Sequence, residues 1–197
     1  MILVDSKKRK PENILKKYPD AVLADVTSTS PYEHLRQFSP FYPHGGIPVP
    51  NSPGVTATCV EAIWQGLKVF ETCDIDTSLF RNDTMQHLKR TVRKYGRPLG
   101  HRYGVGSPVL LGYVEARHKI YLPAYRWVLE NRLGDLVQRL REASQDKTVI
   151  LLDYNTNADV DNPAKPLSHA SLIKAYVEGV YPFAEKKEAA AMQTTLF

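Results

Sequence analysis

The chain has 197 residues, 43 % hydrophobic and 24 % charged, the balance of a folded domain and not of a disordered chain. No apolar run reaches the roughly 20 residues of a membrane span, and Lys7-Lys8-Arg9-Lys10 follows four apolar residues with no signal-peptide core behind it. The net charge is +5, and the only cysteines, Cys59 and Cys73, form no CxxC pair, so a cytoplasmic protein without disulfide, metal or cofactor is expected.

Residues 1–20 read as an N-terminal extension, with a short helix opening at Pro11, ahead of a single domain over residues 21–183. Ala21 to Val26 is a short strand. Residues 38–54 hold five prolines and three glycines and read as a long loop or broken hairpin, a kind of segment that often carries function. A helix is expected over about 59–71 and a second over about 83–95, stopping at Gly96. A glycine-bearing loop follows over 96–108. The next helix begins at Pro123 and runs to about Leu133, and an amphipathic stretch from Asp135 to Ala143 follows Gly134. Thr148 to Asp153 is a buried strand by its β-branched run. The last helix is capped by Ser168 and stops at Gly179, and the tail over 184–197 reads as flexible. The sum is an α+β domain, mostly helical, with a few short strands.

Two segments carry chemistry. From Arg81 to Arg102, seven Lys and Arg side chains stand against one acid, Asp83; this is either a solvated helix face or a surface that attracts phosphates. In the helix after Thr58, Val60, Ile63, Trp64, Leu67 and Phe70 recur at helical spacing and define a core face. Glu61, Gln65, Lys68 and Thr72 fall within roughly 60° of one another beside it. A carboxylate, an amide and an ammonium in one line suit a polar ligand lying along the helix. Thr58-x-x-Glu61 is equally a capping box, in which the glutamate only satisfies a backbone N–H.

Phe38-Ser39-Pro40-Phe41 precedes a loop and then Glu61-x-x-x-Gln65-x-x-Lys68. Gly96-Arg97 ends the basic helix, and Trp127 comes early in the next one. Asn157-Ala158-Asp159-Val160-Asp161-Asn162 and a Leu-rich helix from Leu167 to Val177 follow. In this order the chain resembles the NADAR (YbiA-like) superfamily from about Ser28 to Glu178; Gly100 to Leu122 has no counterpart in that pattern. The resemblance implies a NADAR-like α+β fold and a hydrolase acting on N-glycosyl bonds. Such an enzyme cleaves a ribosyl C1–N bond, removing ADP-ribose from a guanine base or acting on phosphoribosylamino substrates, free or within nucleic acid.

That reaction develops oxocarbenium charge on the sugar, which a carboxylate stabilises, and a carboxyl group must protonate the leaving nitrogen or activate water. Glu61 and Asp159 are the catalytic candidates, with Asp161 beside them. Lys68 and Arg97 are the cations for phosphates. Phe38, Phe41 and Trp127 offer faces for bases, though such aromatics also serve as core. Ser39 belongs to the Phe38–Phe41 element, and Gln65 reads sugar hydroxyls or braces Glu61. Asp159 and Asp161 fit an Asx-rich turn before Pro163 equally well. Two further readings are a non-catalytic nucleotide- or ADP-ribose-binding module, with Glu61 only capping its helix, and a basic nucleic-acid-binding protein acting through residues 81–102.

Overall fold

The first and last strands of the described chain pair in one sheet, and this arrangement positions the rest. In chain order the elements are β1 (Ile2–Ser6), α1 (Pro11–Lys17), β2 (Val22–Asp25), α2 (Glu33–Arg36), β3 (Ile47–Pro48), β4 (Thr56–Ala57), α3 (Val60–Gly66) and β5 (Lys68–Phe70). A 3-10 turn over Thr77–Arg81 leads to α4 (Val92–Tyr95), β6 (Pro98–Arg102), β7 (Leu110–Leu111) and α5 (Tyr113–Ala116). One turn of π-helix (Arg117–Tyr121) then precedes α6 (Leu122–Asn131), α7 (Gly134–Asp146), β8 (Val149–Asp153) and α8 (His169–Val177). The structure, a computed structural model, describes residues 1–182; the tail expected over 184–197 lies outside the described residues. The fold is α+β, and among the described residues no helix is long and apolar enough to cross a membrane.

The central sheet has the order β1-β8-β2 with every strand parallel. All five residues of β8 are buried, as a central parallel strand covered on both faces requires. Successive side chains point to opposite faces: Val149 and Leu151 join the main core with Leu172 and Ile173 of α8, whereas Ile150 and Leu152 pack on Ile14 of α1. Residues 1–20, expected as an extension, thus supply an edge strand and a covering helix. β3 and β4 form the hairpin in the proline-rich stretch, and β5, β6 and β7 form a second, antiparallel sheet.

The helix expected over 59–71 is cut short. Gly66 lies so close to Phe80 that a Cβ there would stand 2.4 Å from its ring, and Lys68-Val69-Phe70 leave the helix to pair with β6. The helix expected over 83–95 shrinks to α4. Upstream of it the Asn82 side chain accepts from the Thr84 N–H at 3.0 Å and donates to the Gln86 carbonyl at 2.9 Å, a turn geometry that competes with helix. Met85 and His87 there adopt left-handed backbone, φ 60° and 57°. The expected loop over 96–108 contains β6. Strand β8 and helix α8, with Ser168 accepting from the Ser171 N–H, stand where the pattern placed them.

Candidate functional site

Glu61 sits in the first turn of α3, but its side chain does not cap the helix. Cys59 is the N-cap, its Sγ accepting from the Ala62 N–H at 3.3 Å, while Thr58 turns away and donates to the Asn82 carbonyl at 2.6 Å. The capping-box reading is therefore corrected, and the Glu61 carboxyl is available for other work. The Glu61 N–H donates to the Pro40 carbonyl at 2.8 Å, which fastens the Phe38–Phe41 segment across the helix start.

One helical turn later Gln65 donates through Nε2 to Glu61 Oε1 at 2.9 Å. Gln65 Oε1 accepts from Lys68 Nζ at 3.3 Å and from the Arg90 N–H at 3.2 Å. With its oxygen facing two donors, the amide can present only its N–H to the carboxylate. The Arg90 guanidinium extends this brace, reaching the carbonyls of Lys68 and Asp74 at 2.5 and 2.7 Å.

Glu61, 8 % exposed, opens onto a cavity of about 350 Å³. Ser39, Pro40 and Phe41 line one side; Trp64, Tyr113 and Tyr121 supply aromatic wall; Lys89 stands at the edge, its ammonium 5.6 Å from the Phe41 ring centroid. Trp64 is held by Tyr113 and Tyr121 edge-on and by His101 at 3.8 Å between centroids. His101 is 2 % exposed with neither ring nitrogen hydrogen-bonded; burial and the nearby Lys68 charge push its pKa down to about 3, so it backs the tryptophan as a neutral ring. Burial raises the pKa of Glu61, opposed by the Gln65 bond and by the charges of Lys68 and Lys89. Lys68 is shifted down, again by burial first, against the pull of Glu61.

The far wall lies at the carboxyl end of the parallel sheet, with Thr27 and Ser28 after β2, Asp153 at the end of β8, and His169 opening α8. His169 Nδ1 is 3.0 Å from Asp153 Oδ2, and its Nε2 is 2.9 Å from the Val26 carbonyl. Two acceptors facing the two ring nitrogens require a doubly protonated imidazole. Burial opposes that charge, but the bond and charge of Asp153 outweigh it and raise the His169 pKa. Burial likewise pushes Asp153 up, and the His169 bond and charge with the Ser168 hydroxyl bring it below the ordinary carboxylate value. The pair is an internally neutralised ion pair. Arg117, 2 % exposed on the π turn, also lines the cavity. It donates to the carbonyls of Val160, Asn162 and Lys165 at 2.8, 2.7 and 2.6 Å, holding the 155–167 loop as the remaining wall. Among the described residues no group of three His, Cys, Asp or Glu side chains is disposed as metal ligands.

Residues 6–173 match the model of DUF6939, described as a family of unknown function. The chain belongs to DUF6939. No curated protein and no solved structure matches it.

In this DUF6939 chain Glu61, Ser39 and Phe41 share the cavity wall, with Gln65 and Lys68 immediately behind Glu61. The other expected site residues lie elsewhere. Phe38 is core, and its carbonyl accepts from the Tyr125 hydroxyl at 2.6 Å. Trp127 is half-buried against the main core, with the Arg132 guanidinium 5.0 Å from its ring centroid. The Arg97 side chain is 75 % exposed and pairs with Glu71. Asp159 and Asp161 form the Asx turn, Asp159 Oδ1 accepting from the Asp161 N–H at 2.9 Å. Asp161 also pairs with His118 at 2.7 Å, and Asp159 faces a neighbouring hollow, not this cavity. The basic run is dispersed as well: Arg90 is a buried brace, Arg102 pairs with Asp74, and Lys89 turns to the cavity. Trp64, Tyr121, Asp153, His169 and Arg117 were not singled out for the site. For Asp153 a signal existed, since an acid that ends a buried apolar strand has to be neutralised or solvated.

Proposed function

We propose that the protein is a hydrolase that cleaves a ribosyl C1–N bond of a nucleotide-like substrate, with Glu61 as the catalytic carboxyl group. The observation that carries this reading is a glutamate released from helix capping, fixed by Gln65 through one oxygen and facing a cavity walled by Phe41, Trp64 and Tyr121. Aromatic walls suit a planar base. The hydroxyls of Ser28 and Ser39 suit a ribose, and Lys89 suits a phosphate.

The chemistry follows from the raised pKa of Glu61, which favours a protonated carboxyl at higher pH than usual. The C1–N electron pair leaves with the base nitrogen, and Glu61 supplies the proton that this nitrogen takes up. The carboxylate so formed faces the oxocarbenium ion and stabilises it. Water then adds to C1, its proton returns to Glu61, and the free sugar and free base result. Asp159 is dropped from this scheme because its carboxylate serves the loop turn outside the cavity. Asp153 does not replace it, being neutralised by His169. The resemblance to the NADAR superfamily, carried by the Phe38–Phe41 segment and the Glu61, Gln65 and Lys68 spacing, supports the same reaction class and a cytoplasmic setting.

The test is incubation with an oligonucleotide carrying ADP-ribose on guanine and with a phosphoribosylamino-pyrimidine, following release of the ribosyl product. Glu61→Gln is expected to abolish release while sparing binding. Full activity in Glu61→Gln, or no release from either substrate by the wild type, overturns the reading.

A further inference from the structure

Tyr121 lines the Glu61 cavity, and its hydroxyl has no part in the Glu61 scheme. It ends the π turn Arg117–Tyr121, which interrupts an otherwise continuous helix from Tyr113 to Asn131. Tyr113, Arg117 and Tyr121 stand four residues apart, and all three line the cavity. In an uninterrupted α-helix four residues overshoot one turn by about 40°, so the third side chain of such a row is carried about 80° around the axis from the first. The wider i→i+5 turn winds more slowly and takes up part of that drift. Such turns are rare and recur at functional sites; here one keeps Tyr121 on the cavity side.

Three tyrosines line this cavity, and two of their hydroxyls are engaged. The Tyr113 hydroxyl accepts from Arg117 at 3.2 Å, and the Tyr154 hydroxyl is 2.9 Å from Thr29 Oγ1. The Tyr121 hydroxyl makes no hydrogen bond among the described residues. It is not sealed in either: among the described residues the side-chain polar atoms shut away without a partner are Arg90 Nε and the two His101 ring nitrogens. Tyr121 is half-buried, so its hydroxyl opens into the cavity. The ring is held edge-on to Trp64 at 5.7 Å and stacked with Tyr125 at 6.1 Å between centroids, which fixes the position of the hydroxyl. Burial, with the charges of Glu61 and Asp153 on the two sides of the cavity, lifts its pKa well above the ordinary phenol value, so it stays an O–H donor at any pH where Glu61 is protonated. A donor without an internal acceptor costs free energy unless a ligand accepts from it.

We propose that Tyr121 is a further catalytic residue, whose hydroxyl donates a hydrogen bond to the base that leaves C1. This assignment rests on the function proposed above. When the C1–N bond breaks, its electron pair passes to the base and spreads over the ring onto more than one acceptor atom. Glu61 gives its proton to one of them. Tyr121 keeps its own proton and hydrogen-bonds a second, so no atom or electron moves to or from it. That bond strengthens as charge gathers on the base, and it therefore lowers the barrier more than it tightens the ground state.

Tyr121→Phe in the full-length protein tests this, since it removes the hydroxyl and leaves the ring in its packing. With the oligonucleotide carrying ADP-ribose on guanine, kcat is expected to fall about tenfold or more and KM to stay within about threefold. Calorimetric titration with hypoxanthine, a soluble purine base, is expected to show affinity about threefold or more weaker in the variant. Binding of ribose 5-phosphate should stay within about twofold, because no sugar or phosphate contact is lost. Tm is expected not to fall, as no internal hydrogen bond is removed. Tyr125→Phe, which strips a hydroxyl that donates to the Phe38 carbonyl at 2.6 Å, gives the fall that a structural hydroxyl produces. An unchanged kcat, an unchanged hypoxanthine affinity, no binding of hypoxanthine by the wild type, an equal loss of ribose 5-phosphate binding, or a Tm lowered as far as in Tyr125→Phe overturns the proposal. These outcomes separate from those of the glycosidase reading. Weaker hypoxanthine binding in Tyr121→Phe, without base release by the wild type, keeps the base contact and removes the glycosidase. Base release that is unaltered in Tyr121→Phe keeps the glycosidase and removes the role of Tyr121.

Discussion

Glu61→Gln changes one atom in the cavity wall and, on the proposed function, is expected to act in opposite directions on stability and on turnover. Gln65 can still donate to the new amide oxygen, as it does to Glu61 Oε1 at 2.9 Å, so the change is nearly isosteric. An unfolded glutamate loses its proton near pH 4.3, whereas the folded Glu61 holds it to higher pH, chiefly because it is buried. Between those two points the folded state binds the extra proton. Stability therefore falls as pH rises through this interval and stays reduced above it.

Glutamine does not ionise and escapes that loss. An imperfectly compensated buried polar group costs about 1–3 kcal/mol; the Gln65 bond and the charges of Lys68 and Lys89 offset part of it, which leaves a gain of about 1 kcal/mol for the variant. For a chain of this size that is about 2–4 °C in Tm. Thermal unfolding followed by circular dichroism should give matching transitions at pH 4 and a higher Tm for Glu61→Gln at pH 8. Turnover, by contrast, should fall roughly 10²–10⁴-fold, the contribution of a positioned acid–base group. A variant that melts below the wild type at pH 8 would refute the reasoning, since Glu61 would then be a net stabiliser and not a group held for chemistry.

Four further outcomes follow from the same geometry. The Asp153–His169 pair stabilises the fold fully between the unfolded pKa values of its members; this contribution fades as pH falls through the lowered value of Asp153 and as pH rises through the raised value of His169. Asp153→Asn should flatten that profile and remove about 3–5 kcal/mol, read as Tm against pH. Gly66→Ala should cost about 1–3 kcal/mol by overpacking against Phe80 and lower the urea midpoint. Arg117→Met withdraws the donors from three loop carbonyls, so limited proteolysis should cut within residues 155–167 where the wild type resists. Arg97→Ala should leave both turnover and stability within about 0.5 kcal/mol of the wild type, because its ion pair with Glu71 is exposed.

What could be read from the sequence divides by the range of the forces involved. Strand β8 and helix α8 were legible because a β-branched apolar run and a serine N-cap act over a few residues. The spacing of Glu61, Gln65 and Lys68 was legible for the same reason, although the helix ends at Gly66 and Lys68 reaches Gln65 from β5. Its end was hidden because Phe80, fourteen positions on, decides it. Charge misled most between Arg81 and Arg102. A run of cations looks like a solvated face, yet Arg90 is drawn inward by the carbonyls of Lys68 and Asp74, and the Asn82 turn interrupts the helix that would have carried the face.

The second half of the cavity was hidden for a more general reason. Asp153 and His169 meet only because β8 runs parallel between β1 and β2, which places the ends of strands more than a hundred residues apart in sequence along one edge. Parallel pairing leaves no hairpin and no turn signature at that edge, so nothing local in the sequence marks Thr27, Asp153 and His169 as neighbours. Asp159 and Asp161 are the acids that the resemblance points to, because residues 157–162 stand where the NADAR pattern has its acidic motif. The structure gives those acids to a turn, and it gives the single buried aspartate of β8 to the cavity. An acid that ends an apolar strand has to be neutralised or solvated, and that physical demand, with Ser168 and His169 available at a helix start, was the better guide to the far wall.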